Sequence, residues 1–138
     1  KITQSSKPTL YDVVIMASII EREIKFNNEK STAGNILWKR LKINMPLQVD
    51  STLNYITNNQ SLRLNAQELK IDSPYNTYKY RGLPPTPISN PGYESLNAAM
   101  NQQDSPYLYF LSKPSGESVF SKTHDEHVIN KHKWLLNN

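Results

Sequence analysis

The sequence contains no cysteine. A chain without thiols depends on no disulfide, so it tolerates an oxidising compartment without requiring one. No apolar run reaches the roughly 18 residues that a membrane span needs. No Lys/Arg block exceeds two residues. The basic excess is therefore diffuse and outlines no nucleic-acid groove. Four scattered glycines leave no Gly-rich loop to cradle a phosphate. Internal repeats and low-complexity runs are missing too, which argues against a solenoid or a disordered segment. The first residue is Lys1 and not Met, so the chain reads as a trimmed piece of something longer. Missing signal or anchor segments then say nothing about the parent protein.

What is present fits one folded unit over residues 1–138, long enough to bury a sizeable core. Tyrosine is frequent, with eight copies. The net charge of +4 suits an anionic partner, and a polyanionic glycan-peptide, a nucleic acid or a membrane surface all qualify.

Val13, Ala17, Ile20 and Ile24 recur at helical spacing and predict a helix from Leu10 to Phe26. The stretch from Val13 to Ile20 is apolar nearly all round, which places this helix at the centre of the domain. A second helix is expected from about Thr32 to Ile43, burying Ile36, Leu37 and Leu41, with Asn44 able to close it in a left-handed conformation. Met45 to Val49 reads as a short strand. Asn65 to Lys70 reads as a short helix, with Asn65 as cap and Glu68 reaching back. From Ser73 to Gly92 come five prolines among Tyr75, Asn76, Tyr78 and Tyr80. Each proline fixes its own φ and restricts its predecessor, so the loop is stiff and suits a preformed binding wall. Asn90 as cap and Pro91 in the first turn open a helix to about Gln103. Tyr107–Ser112 and Ser118–Ser121 form a predicted β-hairpin turned by Pro114-Ser115-Gly116. A Thr123/Glu126 capping box starts a last helix to about Leu136. The expected class is α+β, with helices packed around a small sheet.

The chemistry concentrates on the first helix. At about 100° per residue, Glu21 lies beside Val14, Ala17 and Ser18 on the edge of the buried face, where small residues leave room for a ligand. Arg22 points to water. Glu23 lies about 200° further round, so the two carboxylates cannot share one site as acid and nucleophile. Desolvation at the rim is expected to raise the pKa of Glu21, as a general acid working near neutral pH needs. The plain alternative is a helix glutamate at the rim of the core. His124, His127 and His132 share one predicted helix, but their spacing matches no metal box, so no metal and no cofactor is expected. Trp38 and Trp134 read as packing residues. Ser18 has no histidine base nearby in sequence, which disfavours it as a nucleophile.

The run Ala17-Ser18-Ile19-Ile20-Glu21-Arg22-Glu23 resembles a signature of the YceG-like family, the MltG-type endolytic murein transglycosylases. The likeness continues in order through Asn44 to Thr52, Ser73 to Tyr78, Gly82 to Gly92, Tyr107 to Phe110 and Phe120 to His127. It spans nearly the whole chain from Leu10. Asn44 stands where that family usually has Gly, Ser51 where it has Pro, Thr86 where it has Gly and Lys39 where it has Asn.

The resemblance implies a lytic transglycosylase that cuts the N-acetylmuramic acid to N-acetylglucosamine β-1,4 bond and leaves 1,6-anhydro ends, with Glu21 as acid and then base. Since the substrate's own 6-hydroxyl is the nucleophile, the two-carboxylate rule of ordinary glycosidases does not apply. It implies substrate contacts from Ser18, Gln48, Asp50, Thr52, Tyr75, Asn76, Thr77, Tyr78, Pro84, Pro85 and Asn90. Ordinary packing, or hydrogen bonds that fix loops, would equally account for those residue types. It further implies a membrane-anchored parent with a LysM-like module before this catalytic domain, facing outward from the cytoplasmic membrane. Glycan strands and the peptidoglycan synthases (penicillin-binding proteins) would be its partners, with no nucleic acid. Two rivals stand beside this reading, a hydrolytic muramidase and a non-catalytic wall-binding module. An aminodeoxychorismate lyase finds no support, as no convincing cofactor lysine site is visible.

Overall fold

The computed structural model describes residues 7–58 and 64–136. Helix α1 (Leu10–Glu23) begins at a capping box in which Thr9 and Asp12 each accept the other's backbone N–H, at 3.1 and 2.8 Å. It stops three residues short of the expected Phe26, because Ile24 turns extended and drops its side chain into the core. The corner leads directly into α2 (Asn27–Lys42), which starts five residues before the expected Thr32. Glu29 lies in its first turn and Lys39, Arg40 and Lys42 in its last, the order the helix dipole favours. Asn44 beyond it is left-handed, with φ of 59°.

Residues Met45 to Val49 are not a strand. Leu47 and Val49 are buried, but Gln48 between them has φ of 54°, which interrupts any extended ladder. This segment is held by Thr77 instead, whose carbonyl and hydroxyl accept the N–H groups of Gln48 and Val49 at 3.2 and 3.1 Å. An unexpected helix, α3 (Asp50–Thr57), follows at once. The reciprocal bonds of Asn65 and Glu68 form as expected, at 2.9 and 2.8 Å, though what they start is a single 3-10 turn, Glu68–Lys70.

Helix α4 (Tyr93–Met100) is capped by Gly92 and not by Asn90, and ends three residues before Gln103. Strands β1 (Tyr109–Ser112) and β2 (Ser118–Ser121) pair antiparallel with Phe110 opposite Phe120. Gly116 takes φ of 95° in the turn between them. Thr123 and Glu126 cap α5 (His124–Lys131), and one wider π-type turn carries on from His132 to Leu136. The fold is α+β.

The core lies where α1, α2 and α4 meet. Every residue from Ile15 to Ile20 is buried, and each large apolar side chain there contributes roughly 1.5–3 kcal/mol. Gly34 permits the close approach. A methyl group on it would stand 3.1 Å from the Ala98 carbonyl oxygen and 3.2 Å from Ile20 Cδ1. Trp38 adds a bond from Nε1 to the Ala99 carbonyl at 3.0 Å. The hairpin packs against α2 and α5. Arg40 ties the residue before β1 to α2 by donating to the Leu108 carbonyl (3.0 Å), and it also donates to the carbonyls of Leu47 (2.8 Å) and Pro46 (3.2 Å).

Candidate active site

Tyr11, Ser18 and Glu21 fall within about 80° of the circumference of α1, given 3.6 residues per turn. The proline-rich loop is laid along that strip. The Tyr11 hydroxyl donates to the Pro85 carbonyl at 3.2 Å. Further on, the Ile88 N–H donates to Ser18 Oγ at 3.0 Å, and Ser89 Oγ donates to the Ser18 carbonyl at 2.9 Å. The track ends on Glu21, whose Oε1 accepts the Gly92 N–H at 3.0 Å and the Ser95 hydroxyl at 2.8 Å. Lys30 of α2 brings its Nζ to 3.9 Å from the same oxygen. Oε2 has no partner among the described residues, and the Glu21 side chain is 35% exposed.

The expected upward pKa shift of Glu21 is not found. The Gly92 N–H, then the Ser95 hydroxyl, and last the Lys30 charge hold the carboxyl below the ordinary glutamate range. Partial burial pulls the other way and is outweighed. The desolvated acid of this helix is its neighbour. Glu23 turns toward α3 and accepts the Ser51 N–H at 2.9 Å, and burial pushes its pKa up against that bond. Arg22 is exposed, as its helical position requires.

The remaining predicted residues separate by accessibility. Ser18 is fully buried and leaves no room for a ligand, because its hydroxyl is spent on the Ile15 carbonyl at 2.6 Å and on Ile88. Asn76 is fully buried as well. Its amide donates to the carbonyls of Leu69 and Ile71 at 2.9 and 2.8 Å, and its oxygen accepts the Tyr78 N–H at 3.0 Å. No donor of Asn76 is left for a ligand; the side chain pins the loop. Thr52 and Thr77 are interior too, 3.1 Å apart and both bonded to Val49. Pro84 is buried.

Gln48, Pro85 and Asn90 are exposed, while Asp50, Tyr75 and Tyr78 are half-buried. The Tyr78 hydroxyl donates to Asp50, and burial together with that carboxylate pushes the phenol pKa up. Tyr75 shares a 2.7 Å bond with Thr86 and sets its ring 5.4 Å from that of exposed Tyr55. His124 and His127 both pack on the Tyr109 ring, and among the described residues no group of three or more His, Asp or Glu could hold a metal ion.

Sequence reasoning missed Gly92, Ser95 and Lys30 as partners of Glu21. A serine three residues beyond a Pro-Gly helix opening was a usable signal for Ser95. Lys30 had none, since the second helix was expected to start after it.

The geometry presents one partly exposed carboxylate, Glu21, carried by a helical core and flanked by the proline-rich loop. The YceG-like family profile matches residues 1–133. The chain is 41% identical over 132 residues to the endolytic murein transglycosylase of Bacillus subtilis (strain 168), covering 96% of this chain and 37% of that protein. It is 27% identical over 133 residues to the protein of the same name from Streptococcus pneumoniae serotype 2 (strain D39 / NCTC 7466), covering 92% of this chain and 24% of that one. A crystal structure of a yceG-like protein from Listeria monocytogenes superposes with a TM-score of 0.84 at 41% identity, over 88% of this chain and 40% of the other. The chain belongs to the YceG-like family. It spans well under half the length of these relatives.

Proposed function

We propose that this chain is the catalytic part of an endolytic peptidoglycan lytic transglycosylase. The observation that carries the reading is Glu21, held by one oxygen at the end of the loop track with its other oxygen free. The names borne by the Bacillus and Streptococcus relatives support the substrate class.

In this mechanism Oε2 gives its proton to the glycosidic oxygen leaving N-acetylmuramic acid C1, and the C1–O bond breaks. The resulting carboxylate takes the proton of the muramic acid 6-hydroxyl as that oxygen bonds to C1, which closes the anhydro ring and restores the acid. No water enters, and one carboxyl performs both transfers. At rest Glu21 is held toward the ionised form. A glycan covering its exposed side desolvates it and favours the protonated form that the first step needs. Gln48, Asp50, Tyr75, Tyr78, Pro85 and Asn90 keep accessible surface for sugar contacts. Ser18, Thr52, Asn76, Thr77 and Pro84 shape the wall behind them. The parent protein is read as membrane-anchored and outward-facing, working beside peptidoglycan synthases.

Glu21→Gln tests the assignment. The amide fills the same volume and carries no transferable proton, so anhydro-muropeptides should vanish from a mass-spectrometric digest of glycan strands while a thermal melt still shows a cooperatively folded chain, at a lowered midpoint because Lys30 loses its charge partner. Turnover near the parent level would sink the proposal, and products with hydrolysed, non-anhydro ends would favour a muramidase.

A further inference from the structure

Lys30 is a buried ammonium, 6% exposed, and its one ion pair among the described residues is with Glu21. A cation taken out of water is costly unless it is paired, so Glu21 is a condition for placing Lys30 there. Ser95 is equally buried and aims its hydroxyl at the same oxygen. Two hydrogen-bond donors at the head of α4 and one cation on α2 thus converge on Oε1, while Oε2 has no partner among the described residues. We propose that Lys30 and Ser95 are positioning residues of the reaction: they commit Oε1 to the protein, reserve Oε2 for the proton, and stabilise the carboxylate that remains once the proton has been given. The inference rests on Glu21 being the acid.

The arrangement favours the first transfer at the expense of the second. Donors on Oε1 make the acid stronger, which assists departure of the leaving oxygen, and the same donors make the carboxylate a weaker base toward the 6-hydroxyl. Few other charges bear on the oxygen. On α2 the charged group is Lys30. On α4, Glu94 is exposed in the first turn beside Ser95. On α1, Arg22 is exposed and Glu23 is turned to α3.

The test is a carboxyl 13C NMR titration, with the Glu21 signal assigned by its loss in Glu21→Gln. It is run on the parent chain and on Ser95→Ala, Ser95→Thr, Lys30→Met and Lys30→Arg, alongside pH profiles of kcat/KM for glycan cleavage. Ser95→Ala and Lys30→Met should each move the Glu21 titration to higher pH and carry the basic limb of kcat/KM with it. The low-pH plateau of Ser95→Ala should fall on the order of tenfold. Ser95→Thr and Lys30→Arg, which restore the hydroxyl and the charge, should titrate near the parent. A purely structural role would lower the rate at every pH and leave both midpoints in place.

Ser95→Ala deletes a single oxygen, so it keeps the test open should Lys30→Met fail to fold. An unmoved Glu21 titration in a folded Ser95→Ala overturns the proposal. If the titration moves while the cleavage profile does not, the coupling stands and the assignment of Glu21 as proton donor falls.

Discussion

Glu21 and Glu23 stand two residues apart on α1 and are shifted in opposite directions, because one faces donors at the head of α4 and the other is buried against α3. The same logic of partners decides what the polar residues of the loop do. The Asn76 side chain makes three hydrogen bonds and none of the residue's surface reaches water. Its truncation would leave the carbonyls of Leu69 and Ile71 without their donor. Asn76→Ala is therefore expected to cost stability, roughly 2 kcal/mol or more from the lost bonds and the orphaned carbonyls. Turnover should fall in proportion to the unfolded fraction. Urea unfolding monitored beside turnover checks this. A turnover loss with the unfolding midpoint unchanged would instead return Asn76 to the substrate.

At the scale of elements, the junction of α1 and α3 is set by Glu23 and the Ser51 N–H. Burial raises the folded-state pKa of Glu23 above that of an unfolded glutamate, near 4.3. The unfolded chain then ionises first, so the stability linked to this group is complete below about pH 4.3 and is lost as pH rises through the folded value. Glu23→Gln keeps an acceptor for Ser51 and removes the titration. Its melting temperature should equal or exceed that of the parent at neutral pH, with a gap that narrows toward pH 4, and cleavage should stay far closer to the parent than in Glu21→Gln. A loss of cleavage as deep as that of Glu21→Gln, with the fold intact, would exchange the roles of the two acids. Elements with their own caps were legible in the sequence: α5 from its capping box, the hairpin from its turn, α1 from its apolar spacing. The start of α2 was not, because Asn27 to Lys30 has no apolar residue to show a period. Met45, Leu47 and Val49 alternate like a strand, and only the left-handed Gln48 shows otherwise. Of the site, Glu21 and the loop were readable along the chain, whereas Ser95 and Lys30 reach it across more than one helix.

For the molecule as a whole, one link between the helical core and the C-terminal hairpin and helix is a stack of side chains on Tyr109. The Arg40 guanidinium lies 5.1 Å from the centroid of the Tyr109 ring, and His127 stacks on that ring at 5.2 Å. The Nδ1 of His127 is buried with no hydrogen-bond partner among the described residues, and His124 approaches Tyr109 edge-on. Burial first, then the charges of Lys131 and Arg40 and the nearby His124, push the His127 pKa down to about 4. The unfolded chain would take up that proton at an ordinary histidine pKa, near 6.5. Stability linked to His127 is therefore complete above about pH 6.5 and is lost as pH falls through that window toward 4. The acid-weakened joint is the one that closes the hairpin and α5 onto α2. His127→Phe preserves an aromatic face for Tyr109, leaves no orphaned nitrogen and cannot titrate. Melting curves of both proteins at about pH 8 and about pH 4.5 should show a smaller acid-induced drop in the variant. Carboxylates protonate in both chains alike, so the difference between the two drops isolates His127. Equal drops would mean that His127 takes up its proton as readily in the folded joint as in the unfolded chain, and that acid opens the molecule somewhere else.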